Sequence, residues 1–368
     1  MKKILVVGMT STAGGVESFL MNYCFNKKNN NIKFDFLCSS DEKIAYEDKI
    51  KKNSDIFYIT PKRRNPILHN KELKNFFENN SNKYIAIWAN LNSLMNIDYL
   101  INAKKYGIKH IIIHSHNSSN MGGKVQQLLH LINRKRIGKI ATDFWACSES
   151  AAEWFYPDNI ISDVCIIKNA INMFDYQFDE NKRMLYRKEH NIEERKVIGN
   201  IGRLHFQKNQ QFLLEVLKLL VKQDSNYVLV LIGRGPDYEM LTRKTKELKL
   251  QNNVLFMGEQ HDIGGWLSAF DIFAFPSKFE GLSIVALEAQ ANGIPIIASS
   301  NAIKQEGLLN SNVSILLDSN AEEWANEIIK CMETNRLSIS LIEKNFDSRG
   351  FNIEKESMKL YEFFSNLE

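Results

Sequence analysis

Residues 271–300 read DIFAFPSKFEGLSIVALEAQANGIPIIASS. A β-branched and aromatic stretch ends at Ser277, a loop carries Glu280 and Gly281, the apolar period from Leu282 to Asn292 predicts a helix, and PIIASS reads as a second strand. Strand, helix and strand in this order make one parallel βαβ unit, because neighbouring parallel strands need a crossover and a helix supplies it.

The same alternation fills the chain. KILVVG, KFDFLC, DIFYIT, YIAIWA, KHIIIHSH, DFWACS and VCIIKN are expected strands of the first half; KVIGNIGRL, YVLVLIG, VLFMG, DIFAFPS, PIIASS and VSILLD are those of the second. The fold class is therefore α/β, with two parallel sheets and crossover helices. A polar, charge-rich stretch with little apolar period, residues 172–195, is expected to be the hinge between a domain over 1–171 and a domain over 196–350. Residues 351–368 follow Gly350 and place Ile353, Met358, Tyr361 and Phe364 at helical spacing, which predicts a terminal helix returning to the first domain. Ligands of open α/β sheets bind at the carboxyl ends of strands, so two facing sheets would hold a site in the cleft between them.

A length of 368 residues with 44% hydrophobic content suits two domains with separate cores. No apolar run reaches the ~18–20 residues of a membrane-spanning helix, and MKKILVVGM lacks the long apolar region of a signal peptide, so a cytoplasmic protein is expected. Cys24, Cys38, Cys147, Cys165 and Cys331 show no metal-ligand or disulfide spacing. A net charge of +4 is too small to suggest nucleic acid, yet the first 170 residues carry 24 Lys and Arg against 15 Asp and Glu. A half that meets an anionic surface or substrate and an idle solvated excess both fit that asymmetry.

Several loops after strands suit an anionic ligand. Gly14 and Gly15 precede a helix whose free amides attract anions, although a plain tight turn fits equally. Arg203 closes a strand and Lys208 begins a helix, which suits a pyrophosphate as well as it suits two incidental surface cations. Gly233 and Gly235 mark a tight turn. Glu280 and Glu288 are eight residues apart, ~12 Å along a helix axis. A hydrolytic acid/base pair needs ~5–9.5 Å. The spacing instead suits a ligand laid along the helix start, with a diphosphate at the amides of Gly281, Leu282, Ser283, Ile284 and Val285, a sugar hydroxyl at Glu280 and ribose at Glu288.

EGLSIVALE preceded by FPS and followed by EAQANGIP, together with GRLHFQKN, LIGRGP and VLFMG in this order, resembles the retaining glycosyltransferases of family four over nearly the whole chain. HSHNSS, WACSESAAEWFY and EAQANG resemble bacterial capsular and exopolysaccharide enzymes in particular. The resemblance implies the GT-B architecture of two facing Rossmann-like domains and no metal or other cofactor. It implies that Arg203 and Lys208 bind the donor diphosphate, Glu280 the sugar and Glu288 the ribose, and that Phe256 and Met257 flank the base. It places Gly233 with the donor-binding residues, Gly14 and Gly15 near phosphates and acceptor, and His116, followed by a polar loop, near the transferred sugar. His114 and His116 alternate on one strand and share a face, and either one also fits a histidine that merely hydrogen-bonds in the core. Two departures concern NAIN at 169–172, which lacks the relatives' glycine and carboxylate, and NAIKQEG at 301–307, which replaces a Gly-Gly loop on the acceptor side.

The implied reaction is retaining transfer from a UDP-sugar to a lipid-linked saccharide acceptor. A non-hydrolysing UDP-sugar epimerase and a catalytically silent scaffold subunit are the rival readings. KVQQLLHLINRKRIGK sets Val125, Leu128, Leu129 and Ile132 beside Arg134, Lys135, Arg136 and Lys139. Peripheral contact with the anionic inner face of the plasma membrane and a core-packed helix with a solvated end are both open readings of it.

Overall fold

The computed structural model describes residues 1–26, 31–118, 123–280, 282–317 and 320–368, and the chain divides into two compact units. Unit 1 comprises Met1–Ala170 and Ile353–Glu368. Its strands are β1 (Lys2–Val7), β2 (Ile32–Ser39), β3 (Ile56–Ile59), β4 (Ala86–Leu91), β5 (His110–Ser115), β6 (Asp143–Ala146) and β7 (Cys165–Ile166). Its helices are α1 (Gly15–Phe25), α2 (Glu47–Ile50), α3 (Pro66–Asn80), α4 (Asp98–Lys105), α5 (Lys124–Arg134), α6 (Glu149–Phe155) and α7 (Asp158–Ile161). The strands form one parallel sheet in the order β3-β2-β1-β4-β5-β6-β7.

Successive side chains of a strand face opposite ways, so a parallel sheet with helices on both faces needs apolar residues at every position. Leu5, Val7, Ile87, Ala89, Ile111 and Ile113 accordingly enter one core, while Ile4, Val6, Phe36, Trp88 and Ile112 enter another.

Unit 2 runs from Ile171 to Asn352. It contains α8 (Glu180–Glu189), β8 (Lys196–Ile201), α9 (Gln210–Gln223), β9 (Tyr227–Ile232), α10 (Tyr238–Glu247), β10 (Val254–Gly258) and α11 (Ile263–Ala269). β11 (Ile272–Phe275), α12 (Ile284–Asn292), β12 (Ile296–Ser299), β13 (Val313–Leu316), α13 (Ala321–Cys331) and α14 (Ile339–Arg349) complete it. The sheet is parallel, in the order β10-β9-β8-β11-β12-β13. It divides its side chains as unit 1 does: Val197, Val230, Phe273 and Ile296 to one face, Ile198, Leu229, Ile272 and Ile297 to the other.

Each sheet has a point where the winding reverses, between β1 and β4 in unit 1 and between β8 and β11 in unit 2. There the loops leaving two adjacent strands diverge to opposite faces and open a crevice for ligand.

Two expectations need correction. Residues 172–195 are not a bare hinge but part of unit 2. α8 lies within that stretch and is held by polar contacts: Arg183 Nη2 and Arg187 Nη2 stand 2.5 and 2.8 Å from the two carboxylate oxygens of Asp271, and Arg183 also donates to the carbonyls of Ser268 and Phe270. The last helix, α15 (Ile353–Asn366), packs on unit 1 through Ile353, Leu360, Tyr361 and Phe364, but Met358 is 51% exposed.

Candidate active site

In unit 2 the site grows from the two loops at the sheet reversal. β8 ends at Ile201, and Gly202 turns the chain with φ +155°, where a Cβ would stand 3.2 Å from Lys208 Cε. The chain curls so that the Lys208 amide donates to the His205 carbonyl at 2.8 Å, and Asn209, in the left-handed region, opens α9. Across the reversal, β11 is followed by the loop that carries Glu280.

Gln207 stitches the two loops together. Its carbonyl accepts from the Lys278 amide at 2.8 Å and its side-chain Nε2 donates to the Phe279 carbonyl at 2.9 Å. The crosslink brings Lys208 Nζ to 2.7 Å from Glu280 Oε1, with both side chains mostly buried and the ammonium 5.1 Å from the centre of the Phe275 ring. The sequence gives no sign of this pairing or of the role of Gln207, because the partners lie some seventy positions apart in the chain.

α12 starts at Ile284, two residues later than expected, with Ser283 as N-cap. The Ser283 side chain makes no capping bond and the first turn holds no acidic residue. The first amides of a helix have no intrahelical acceptor, and here the positive end of the helix dipole is not opposed by a local carboxylate. Ile284 and Val285 lie in this first turn, the Leu282 side chain is buried, and Gly281 lies outside the described residues.

Glu288 follows Ile284 by four positions and therefore shares its face of the helix. Burial pushes its carboxyl up to about 7, against a hydrogen bond with Tyr176 that pulls the other way. Tyr176 lies in the stretch expected to be a hinge and was not singled out by its sequence. NAIKQEG supports the same loop: the Glu280 amide donates to the Asn301 carbonyl at 3.1 Å, and Gln290 of α12 donates to the Gly307 carbonyl at 2.9 Å.

The Arg203 side chain is exposed, and its carbonyl accepts from Gln210 Nε2 at 3.1 Å. Gly233, with φ +130°, backs this loop: a Cβ there would lie 2.1 Å from the Gly202 carbonyl oxygen, and one at Gly235 would lie 2.1 Å from that of Leu204. Both glycines thus serve the close approach of two backbones. Phe256 and Met257 are half-buried at the end of β10, two strands from β8; Phe256 meets the Tyr238 ring edge-on at 5.4 Å, and the Met257 carbonyl accepts from Gln260 Nε2 at 2.8 Å.

In unit 1, Gly14 caps α1 and Gly15 is its first residue, with open space where a Gly15 Cβ would be. Glu17 sits in that first turn, buried, and accepts from the Thr10 amide at 3.1 Å and the Thr10 hydroxyl at 2.6 Å. A carboxylate already occupies this helix start, which makes it a weaker anion site than α12.

His116 follows β5, and its Nε2 lies 2.9 Å from Oδ1 of Asn90 at the end of β4. Asn90 Nδ2 donates to the Trp88 carbonyl at 3.3 Å, which turns Oδ1 toward the imidazole and assigns the ring proton to Nε2. His116 Nδ1 is enclosed without a hydrogen-bond partner, while the residue as a whole is partly exposed. Burial pushes His116 down to about 3. His114 is fully buried among Phe19, Trp88 and Trp145, and burial, reinforced by His116, holds it well below the usual histidine range. It has the surroundings of a core histidine.

Among the described residues, no group of three His, Cys, Asp or Glu side chains is placed to hold a metal ion, and no helix is long and apolar enough to cross a membrane.

The arrangement in unit 2 sets one cation–carboxylate pair, Lys208 and Glu280, in the loops ahead of the start of α12, a combination whose chemistry suits an anion that also carries hydroxyl groups. The sequence pattern of the family described as Glycosyl transferases group 1 matches residues 182–347, the stretch that contains Arg203, Lys208, Glu280 and Glu288. The chain contains a glycosyltransferase group 1 domain. The chain is 26% identical over 362 residues to the "Putative glycosyltransferase EpsF" of Bacillus subtilis, covering 96% of its own length and 94% of that protein. It is 26% identical over 212 residues, 55% of the chain and 54% of the relative, to an Escherichia coli "UDP-Gal:alpha-D-GlcNAc-diphosphoundecaprenol alpha-1,3-galactosyltransferase". Among solved structures it is similar to HepE of Anabaena in complex with UDP and glucose, with a TM-score of 0.81, 19% identity and full coverage of both chains. The chain has the GT-B fold.

Proposed function

We propose that this glycosyltransferase transfers a sugar from a UDP-sugar to a lipid-linked saccharide, with retention of anomeric configuration and without a metal ion, in the assembly of capsule, exopolysaccharide or O-antigen. The observation that carries the reading is the Lys208–Glu280 pair at the reversal of the unit 2 sheet, beside the uncapped start of α12. A diphosphate offered to this place finds a nearly buried ammonium, the exposed Arg203 and the helix amides, which together neutralise the charge that builds up as the sugar leaves. That is the service a metal ion gives elsewhere.

When Lys208 turns to the phosphate, Glu280 is released to accept hydroxyl groups of the sugar. Glu288 takes the ribose, and Phe256 and Met257 border the base. The bond from the anomeric carbon to the β-phosphate oxygen breaks, the bond to the acceptor oxygen forms on the same face, and the acceptor proton passes to the departing phosphate. Glu280 is bound to a cation at 2.7 Å, which suits it to binding rather than to nucleophilic attack and favours this single-step course. The UDP donor is supported by the UDP of the HepE complex and by the UDP-Gal of the Escherichia coli relative, and the lipid-linked acceptor by that relative's diphosphoundecaprenol substrate.

Incubation with a set of UDP-sugars and undecaprenyl-diphosphate saccharides, read by mass spectrometry and by NMR of the new linkage, tests the proposal. A heavier acceptor with the donor's anomeric configuration is expected. An inverted linkage contradicts retention, and an epimerised free nucleotide sugar with unchanged acceptor contradicts transfer.

A further inference from the structure

α5 turns its apolar side outward. Val125, Leu128, Leu129, Leu131 and Ile132 are 72%, 58%, 42%, 47% and 48% exposed, whereas His130 and Asn133 are its buried positions. At 100° per residue the inward side chains lie on one face, with Leu128 nearly opposite them and the other four apolar residues spread to either side. The alternative of a core-packed helix is thereby overturned. His130 Nδ1 accepts from the Leu94 amide at 3.1 Å and Asn133 Nδ2 donates to the Leu94 carbonyl at 2.7 Å, so polar contacts seat the helix and leave its apolar face to the outside.

Cations frame that face. Lys124 begins the helix on the side of Leu128, Lys135 and Arg136 follow its end, and all three are exposed, as is Lys139 beyond them. No Asp or Glu occurs from residue 123 to residue 142. Five apolar side chains on a short helix are far more than a solvated surface needs, and an apolar face ringed by ammonium and guanidinium groups is the chemistry of a helix lying in the interface of an anionic bilayer. The nearby carboxylates, Glu153 and Asp158, lie on the flank of Arg134, which stands 3.7 Å from Asp158; a face for a second protein copy gains nothing from the cations that frame the apolar side, which two symmetric copies would bring into mutual repulsion.

We propose that α5 is a bilayer-docking helix, inserting Val125, Leu128, Leu129 and Ile132 among lipid chains while Lys124, Lys135, Arg136 and Lys139 meet anionic headgroups. The inference names the lipid surface at which the proposed acceptor would be met, but it stands on unit 1 alone.

Flotation of the full chain with phosphatidylcholine vesicles, with and without phosphatidylglycerol and with no acceptor or donor present, tests it separately from the reaction. Binding to the anionic vesicles that weakens with salt is expected. The variant Leu128→Glu/Ile132→Glu should lose it, and Lys124→Gln/Lys135→Gln/Arg136→Gln should weaken it about a hundredfold, at ~1 kcal/mol per charge. Both variants should retain wild-type UDP affinity and melting temperature, because the changed side chains are exposed. Failure of the wild type to bind anionic vesicles, undiminished binding by the Leu128→Glu/Ile132→Glu variant, or a dimer in solution that this variant dissolves would each overturn the proposal. Transfer activity failing while flotation succeeds would count against the proposed reaction only.

Discussion

Lys208 Nζ and Glu280 Oε1, 72 positions apart in the chain, stand 2.7 Å from each other across the reversal of the unit 2 sheet. Each neutralises the other in a mostly buried place, so a ligand that takes one must release the other. The cation suits phosphate and the carboxylate suits sugar hydroxyls, and this division of labour gives the two residues opposite effects on nucleotide binding.

Lys208→Ala should therefore weaken UDP binding and lower transfer by ~10²–10³-fold, the usual loss for a group that stabilises developing charge. Glu280→Ala should lower transfer to a similar degree yet bind UDP as tightly as the wild type or more so, since Lys208 is freed for the phosphate. Titration calorimetry with UDP beside turnover measurements separates the two; parallel loss of UDP affinity in both variants would contradict the assignment.

Gly233 has φ +130° and approaches the Gly202 carbonyl so closely that a Cβ would lie 2.1 Å from it. Gly233→Ala displaces the loop that carries Arg203 and should lower stability by ~1–3 kcal/mol together with UDP affinity. Gly15→Ala, with open space at its Cβ, is the control and should leave the melting temperature nearly unchanged.

The carboxyl of Glu288 is raised from 4.5 to about 7, so the folded protein holds its proton more tightly than the unfolded chain. The contribution is fully present below about 4.5 and is lost as pH rises through about 7, at no more than ~1.4 kcal/mol per pH unit. Urea titrations of wild type and Glu288→Gln across this window should differ in slope, the variant lacking this loss. Equal slopes would show that Glu288 is not held in a desolvated place.

His114 and His116 carry the opposite sign. Burial lowers both, so their contribution is present above about 6.5 and is lost as pH falls below it toward their folded values. Nitrogen-correlated NMR should find His116 neutral with its proton on Nε2 and without titration near 6.5. Asn90→Asp, which sets a carboxylate against Nε2, should move the His116 titration upward; a wild-type ring that titrates near its ordinary value would contradict the lowering ascribed to burial.

The sheets were legible because parallel strands covered on both faces are apolar at every position, as in YVLVLI of β9. Residues 172–195 misled for the complementary reason. Arg183 and Arg187 attach α8 to Asp271 through ion pairs, which leave no apolar period to read. Glu280, Glu288 and Lys208 could be singled out by the EGLSIVALE and GRLHFQK motifs, whose resemblance to known glycosyltransferases names them position by position. Gln207, Tyr176 and Asn90 could not, since each acts through a partner that only the fold brings near. The outward face of α5 illustrates the same limit: its period reveals an amphipathic helix, while the side that faces the core is chosen by His130 and Asn133.

The most direct test is the structure of the UDP complex. The account predicts the β-phosphate within hydrogen-bonding distance of Lys208 Nζ and of amides at the start of α12, with Lys208 drawn away from Glu280 and the ribose at Glu288. A nucleotide bound elsewhere, with the Lys208–Glu280 pair intact, would contradict it.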